Sequence, residues 1–378
     1  MDVSDVITRG KVTIREQPLL AIAVLAAVLL TLDLLARLAG IEVPIAGGLT
    51  FGGDPLSMGR LSGLVWNGII VGLIFGLAGI GLSMTYSILN FANFSHGDLV
   101  TTGAFTGWGA ALLVAGWGIG DLGHLLLVRP GSGASPNEIG ASIVQAPLSI
   151  LIGVIIAALA TVAVAVIIDR IVYKPMRDRG GIPLLIASIG AALALRYILQ
   201  FVYGGQTRGV TSTQDVNTEI AGFSVNMHEL TLVIVAISLM LAMHFMLQRT
   251  KLGKAMRAMA DNKDLALVTG IPTERVVTAT WVLGGALAGV AGYLYVLERG
   301  TIEFNIGWFL LLFIFAAVIL GGIGSIYGAI AGGFVIGFVH EVSLIWISSD
   351  FNAAAAFLIM ILVLLYRPQG IFGGVTTA

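Results

Sequence analysis

Thr250-Lys-Leu-Gly-Lys-Ala-Met-Arg-Ala-Met-Ala-Asp-Asn-Lys-Asp-Leu-Ala-Leu-Val-Thr-Gly-Ile-Pro272 is a polar, basic island between apolar runs long enough to cross a bilayer. Six cations fall between Arg249 and Arg275, so the island reads as a loop held at one membrane face. Its residues predict a short helix, a glycine and a second turn. A membrane chain that keeps one structured loop of this kind is expected to touch a soluble partner with it.

The rest of the composition agrees. Of 378 residues, 57% are hydrophobic and 11% charged, whereas soluble globular proteins carry about 25% charged residues. Mean hydropathy is +0.97. Fifty glycines suit close helix approach in lipid. No cysteine is present, which excludes disulfides, thiolate chemistry and cysteine-ligated metals. A net charge of −1 says nothing about nucleic acid; the basic residues are local and form no patch on a soluble face.

A membrane helix needs roughly 20 apolar residues. Spans are predicted near 18–38, 62–89, 97–119, 147–169, 183–203, 230–248, 276–297, 307–322, 325–347 and 352–366, about ten transmembrane helices in an all-α polytopic bundle. Cations orient them. Arg9, Lys11 and Arg15, the loop cations Arg170, Lys174, Arg177 and Arg179, the six of the 249–275 loop and Arg367 place 14 of 20 on one side, taken as cytoplasmic. The opposite loops hold Arg37, Arg60, Arg129, Arg208 and Arg299 with most of the acids. Ten spans with both termini inside satisfy this bias at every loop. The first run resembles a cleaved signal in its basic start, but it lacks a clear cleavage site and is expected to stay as a helix. Segments 39–61 and 120–146, rich in Gly, Pro and Ser, read as irregular outer loops. Glycines at four-residue spacing (68, 72 and 76; 103 and 107; 285 and 289; 328 and 332; 333 and 337) share helix faces and are expected to pack helices within the bundle.

Polar residues inside the spans are few, and each costs free energy unless paired or hydrated. Asn90-Phe-Ala-Asn-Phe-Ser-His-Gly-Asp98 is the densest group. Ser95 or Asn93 can cap a helix starting near Gly97. Such an end, with free amides and a positive dipole, suits an anionic substrate group; a tight turn satisfying only its own backbone is the plainer reading. Arg196 and Glu341 are the deepest charges. They are expected to approach each other or share a watered vestibule, unless each snorkels to the outer interface. Five scattered histidines form no metal-ligand spacing, no phosphate loop occurs, and no nucleophile–base pair stands out, so neither a metal site nor an enzyme is expected.

Four stretches, in order, carry a resemblance. Asn93-Phe-Ser-His-Gly-Asp98 and Tyr173-Lys-Pro-Met-Arg177 are similar to motifs of the LivH-type permeases of high-affinity branched-chain amino-acid ABC importers. Leu252-Gly-Lys-Ala-Met-Arg-Ala258 resembles the start of that family's coupling loop, and Leu320-Gly-Gly-Ile-Gly-Ser-Ile326 followed by Gly328 completes the set. Asp264-Leu-Ala266 with Gly270 resembles a degenerate form of the signature by which importer permeases dock on ATPases. The likeness covers residues 61–373, about four-fifths of the chain. It sets residues 1–60 apart as an N-terminal extension from a permease domain at 61–378, whose coupling loop is 249–275.

The resemblance implies a multi-pass cell-membrane permease subunit for branched-chain or related amino acids. Its implied partners are a second LivM-like permease, two ABC ATPase subunits that bind the ATP, and an extracytoplasmic substrate-binding protein. The chain itself is expected to need no cofactor. Asn93, Ser95, His96, Gly97, Asp98, Arg196 and Glu341 are the pathway candidates. Gly253, Lys254, Arg257, Asp264, Ala266 and Gly270 are the coupling candidates. One helix over 254–268 is expected to present Met256, Met259, Leu265, Ala266 and Val268 as an apolar strip rimmed by Arg257, Lys263 and Asp264; the alternative is an interfacial helix lying on anionic lipid. Importers of urea and short amides share the superfamily, and an ion-coupled carrier is the contrasting class. The latter needs several paired acids within the spans and no docking loop.

Overall fold

The computed structural model describes residues 18–44, 50–117, 139–212, 217–220 and 222–373. Arg9, Lys11, Arg15 and Arg129, and most of the 120–146 segment, lie outside them. Twelve α-helices occur among the described residues: α1 Pro18–Ala39, α2 Met58–Leu89, α3 Ser95–Ala115, α4 Pro147–Ile168, α5 Gly181–Tyr203, α6 Met227–Arg249, α7 Lys251–Asp261, α8 Lys263–Val268, α9 Thr273–Arg299, α10 Ile306–Gly321, α11 Ile326–Val342 and α12 Asn352–Tyr366. Nine are long and apolar enough to cross a membrane. The chain is a polytopic helical membrane bundle.

The remaining predicted span, 307–322, is α10, only 16 residues. At about 1.5 Å per residue that is near 24 Å, short of a roughly 30 Å hydrocarbon core. Its last carbonyls, which no helix can satisfy from within, are met by the returning C-terminal segment. Ile371 N donates to Leu320 O and Phe372 N to Gly321 O, each at 2.9 Å. Non-helical backbone is tolerated at such depth because protein buries it.

Burial ranks the helices. In α2, 94% of the apolar window is buried, against 11% in α1 and 6% in α12, so α2 is the axis and the other two are peripheral. α2 packs along α11, α9 and α10, and α3 packs against α4 and α9. The expected glycine faces do this. Gly333 and Gly337 of α11 sit on the α2 backbone at Gly76 and Gly72, where an added Cβ would lie 2.5 Å from a backbone nitrogen. A Cβ on Gly103 would lie 2.1 Å from the Gly289 Cα, so α3 and α9 cross in backbone contact.

The connections sort to two ends, named here by their charge. At the inner, basic end Ser87 Oγ meets Gly324 O, Arg177 and Lys174 meet Glu274, and the C-terminal segment meets α10. At the outer end Arg208–Gly209 pairs with Thr301–Ile302 as a short antiparallel ribbon. Ser212 N donates to Ala141 O, Trp66 bonds Glu229, and Trp346 bonds Asp33. Each described loop falls at the end that the cation count assigns to it.

Candidate functional site

Residues 90–98 form a joint at the inner end that starts at exposed Asn90 and runs inward, with Asn93 and Ser95 to Asp98 buried. Asn90 closes α2 in the left-handed region (φ 54°), a conformation asparagine tolerates better than most residues. α3 then begins at Ser95, two residues before the expected start, and Asn93 Oδ1 accepts from the Ser95 amide (3.1 Å) and hydroxyl (2.8 Å). Phe94 N donates to Ser188 Oγ, seven residues into α5, which sets the turn about 10 Å in from that helix's start. His96 Nε2 lies 2.9 Å from Ala78 O, and Gly97 packs its backbone against Gly307 of α10.

A π-helical turn, Asp169–Tyr173, widens the end of α4 and turns Tyr173 inward. Its hydroxyl sits 2.7 Å from Ser95 Oγ and 3.1 Å from Asn93 Oδ1, and its ring stacks on Trp281 of α9. Arg177 grips both Asp169 oxygens (2.6 and 2.7 Å) and reaches Glu274 at 2.8 Å, while Lys174 meets the same carboxylate at 3.0 Å. Two of the sequence motifs are thus one fastening, and it holds the start of α9.

The expected Arg196–Glu341 pair does not form. Arg196 instead makes a two-pronged bond to Asp98, Nε–Oδ1 3.1 Å and Nη2–Oδ2 2.9 Å, with its guanidinium 4.6 Å from the Trp308 ring centre. Side chains on a helix lean toward its N-terminus. α5 starts at the inner end, so Arg196 points inward from a Cα placed near the outer face.

Glu341 faces a different feature, a cavity of about 700 Å³ in the outer half. Glu298, Arg299, Glu303 and His340 line it beside Glu341, with walls of Phe75, Phe309 and Phe313. Glu341 accepts from or shares a proton with His340 Nδ1 at 2.9 Å, and Arg299 donates to Tyr295 Oη at 3.1 Å. The Glu298 side chain makes no hydrogen bond or ion pair among the described residues. Of the pathway candidates only Glu341 lines this space; Asn93, Ser95, His96, Gly97, Asp98 and Arg196 belong to the joint. Glu298 and Glu303 escaped the sequence reading. Their signal was the acids clustering at the outer end of the span that finishes at Arg299.

Residues 249–275 form a two-helix arm rather than one helix over 254–268. Asn262 is extended (φ −157°, ψ 104°) and caps α8 by accepting from Leu265 N at 2.9 Å, competing with helix continuation. The apolar strip divides accordingly. Met256, Met259 and Ala266 are buried against the chain's own bundle, while Leu265, Leu267 and Val268 are exposed. Arg257 is no rim residue: half-buried, it donates to Leu247 O at the end of α6. A Cβ on Gly253 would lie 2.1 Å from that same carbonyl oxygen. Lys254, Lys263 and Asp264 remain exposed. Gly270, with φ +84°, ends α8 as expected: Ile271 N donates to Ala266 O and Gly270 N to Leu267 O, the paired bonds of a glycine-closed helix.

A family profile described as "Branched-chain amino acid transport system / permease component" matches residues 64–366. The chain is 31% identical over 316 residues to the high-affinity branched-chain amino acid transport system permease protein LivH of Escherichia coli K12, covering 82% of this chain and 94% of that protein. It is 28% identical over 312 residues to BraD of Pseudomonas aeruginosa, a permease protein of the same description, covering 81% and 94%. Against a probable branched-chain amino acid transport permease of Methanocaldococcus jannaschii the figures are 27% over 313 residues, 81% and 90%. No solved structure matches. With nearly the full length of these proteins aligned and ten apolar helices in place, the chain belongs to the family of branched-chain amino acid transport permease components.

Proposed function

We propose that this permease carries branched-chain or closely related amino acids inward as half of an ABC importer. Its partners in that reading are a second, LivM-like permease, two ATPase subunits gripping the arm from the cytosol, and an extracytoplasmic binding protein at the outer end. ATP is bound by those ATPase subunits, and both termini lie inside. Residues 1–60, with the peripheral α1, are an extension to the permease domain.

One observation carries the cargo class: the outer cavity joins carboxylates to phenylalanine walls. An α-ammonium group matches Glu298 and Glu341, an aliphatic side chain matches Phe75, Phe309 and Phe313, and Arg299 offers a counter-charge to a carboxylate. Urea and short amides carry no charge to reward those acids. Delivery to the cavity then follows from contact at the outer end, and release inward from movement of the arm. That movement reaches the cavity through Glu274, Arg177 and Tyr173 to the 90–98 joint, and through the Asp98–Arg196 pair to Trp308 on α10. α10 supplies Ile306, Phe309, Leu310 and Phe313 to the cavity.

Uptake in a strain lacking the chain, restored by plasmid, tests this. Labelled leucine uptake is expected to return with the plasmid while labelled urea uptake is unchanged. Restored urea uptake without leucine uptake would overturn the cargo assignment.

A further inference from the structure

Between the inner ends of α4 and α9 lies a second cavity, of about 550 Å³. Its acids are already committed: Asp169 to Arg177, and Glu274 to Arg177 and Lys174. Two of its cations are not. Arg170 and Arg275 are exposed and make no hydrogen bond or ion pair among the described residues. Trp281, also in the lining, is 2% exposed, and its Nε1–H has no acceptor. The cavity therefore gathers donors and positive charge with nothing to receive them.

Its surroundings say what kind of acceptor fits. Val166 and Val282 continue the lining, and Ile167 at the end of α4 and Ile171 in the π-helical turn after it stand exposed beside it at 54% and 71%. A soluble anion has no use for that apolar surface. A molecule with an anionic phosphate at one end and hydrocarbon at the other matches both parts, with the guanidiniums suited to paired hydrogen bonds to phosphate oxygens.

We propose that this cavity is a binding site for one anionic phospholipid of the inner leaflet. Arg170 and Arg275 hold the phosphate, and the acyl chains lie along Ile167, Ile171 and Val282. The bound headgroup also borders Leu252, the second residue of α7. The lipid thus braces the root of the arm against α4 and the membrane, and links the arm's position to the leaflet's charge.

The test uses the full-length permease, purified with whatever subunits accompany it and placed in nanodiscs of mixed phosphatidylglycerol and phosphatidylcholine. Retained lipid is counted by native mass spectrometry, and thermal stability is titrated with each lipid and with inorganic phosphate. Phosphatidylglycerol is expected to be retained and stabilising, and phosphatidylcholine much less so. Arg170→Gln with Arg275→Gln is expected to cut the preference for phosphatidylglycerol roughly tenfold or more. Arg170→Lys with Arg275→Lys, which keeps the charge and guards against a folding defect, is expected to retain most of it. Lys251→Gln with Lys254→Gln is expected to leave it in place. Equal retention of the two lipids, an unchanged preference in the double glutamine variant, or an equal loss in the lysine-loop control would overturn the site. Stabilisation by inorganic phosphate alone would overturn the lipid as its occupant.

Discussion

Asp98 and Arg196 exchange two hydrogen bonds where Asp98 is wholly buried and Arg196 only 8% exposed. Removing one member of such a pair strands a charge in the interior and costs about 3–5 kcal/mol, whereas replacing both with apolar groups of similar volume is often close to neutral. Arg196→Leu is therefore expected to abolish most folded protein in a detergent-stability assay, and Asp98→Leu combined with Arg196→Leu to recover much of it. A double variant no better than the single would mean the pair is not the unit. The cavity gives a second test at this scale. Glu298→Gln keeps the shape and removes the charge. A charged hydrogen bond contributes about 1.5–3 kcal/mol, so KM for leucine is expected to rise about tenfold or more, with little change in membrane insertion. A KM that does not move would remove Glu298 from the path. Charges such as Arg196 were visible in the sequence as buried anomalies, yet their partners were not, because residue counting locates a Cα while the guanidinium ends a long side chain away.

At the scale of elements, the arm is the part most nearly legible beforehand. Its basic character, Gly270 and Pro272 announced a helix, a left-handed exit and a stop, and the structure has them. The break at Asn262 was hidden because an asparagine reads equally well as a poor helical residue or a cap, and packing decides. That break leaves Leu265, Leu267 and Val268 outward with Lys263 and Asp264 beside them. Leu267→Asp adds a charge to this outward face without touching the bundle. It is expected to lower leucine uptake at least several-fold while expression and thermal stability stay as in the parent chain. Wild-type uptake would show that the ATPase grips elsewhere. Arg257→Glu is expected to be harsher and less specific, since Arg257 ties α7 to the end of α6. Thr250 reinforces the same root by capping α7 at Gly253 N, 3.0 Å.

For the whole molecule, hydropathy and cation bias were sufficient to place ten apolar helices and to sort their connections, because length and charge are the two things a bilayer reads directly. What they did not show was which helix is the axis, or that α10 would fall short and be completed by the returning chain. Both depend on neighbours supplied by distant sequence. Sidedness is the claim on which the rest turns, since a motor that hydrolyses cytosolic ATP can grip only a cytosolic arm. The chain has no cysteine, so single substitutions report cleanly. Lys263→Cys on the arm and Glu219→Cys on the hairpin that pairs Asn217–Ile220 with Phe223–Asn226, both exposed in the parent residue, are each treated with a thiol reagent that cannot cross membranes. In intact cells Glu219→Cys is predicted to label and Lys263→Cys to stay unmodified until the membrane is opened or inverted. Labelling of Lys263→Cys from outside intact cells would contradict the account.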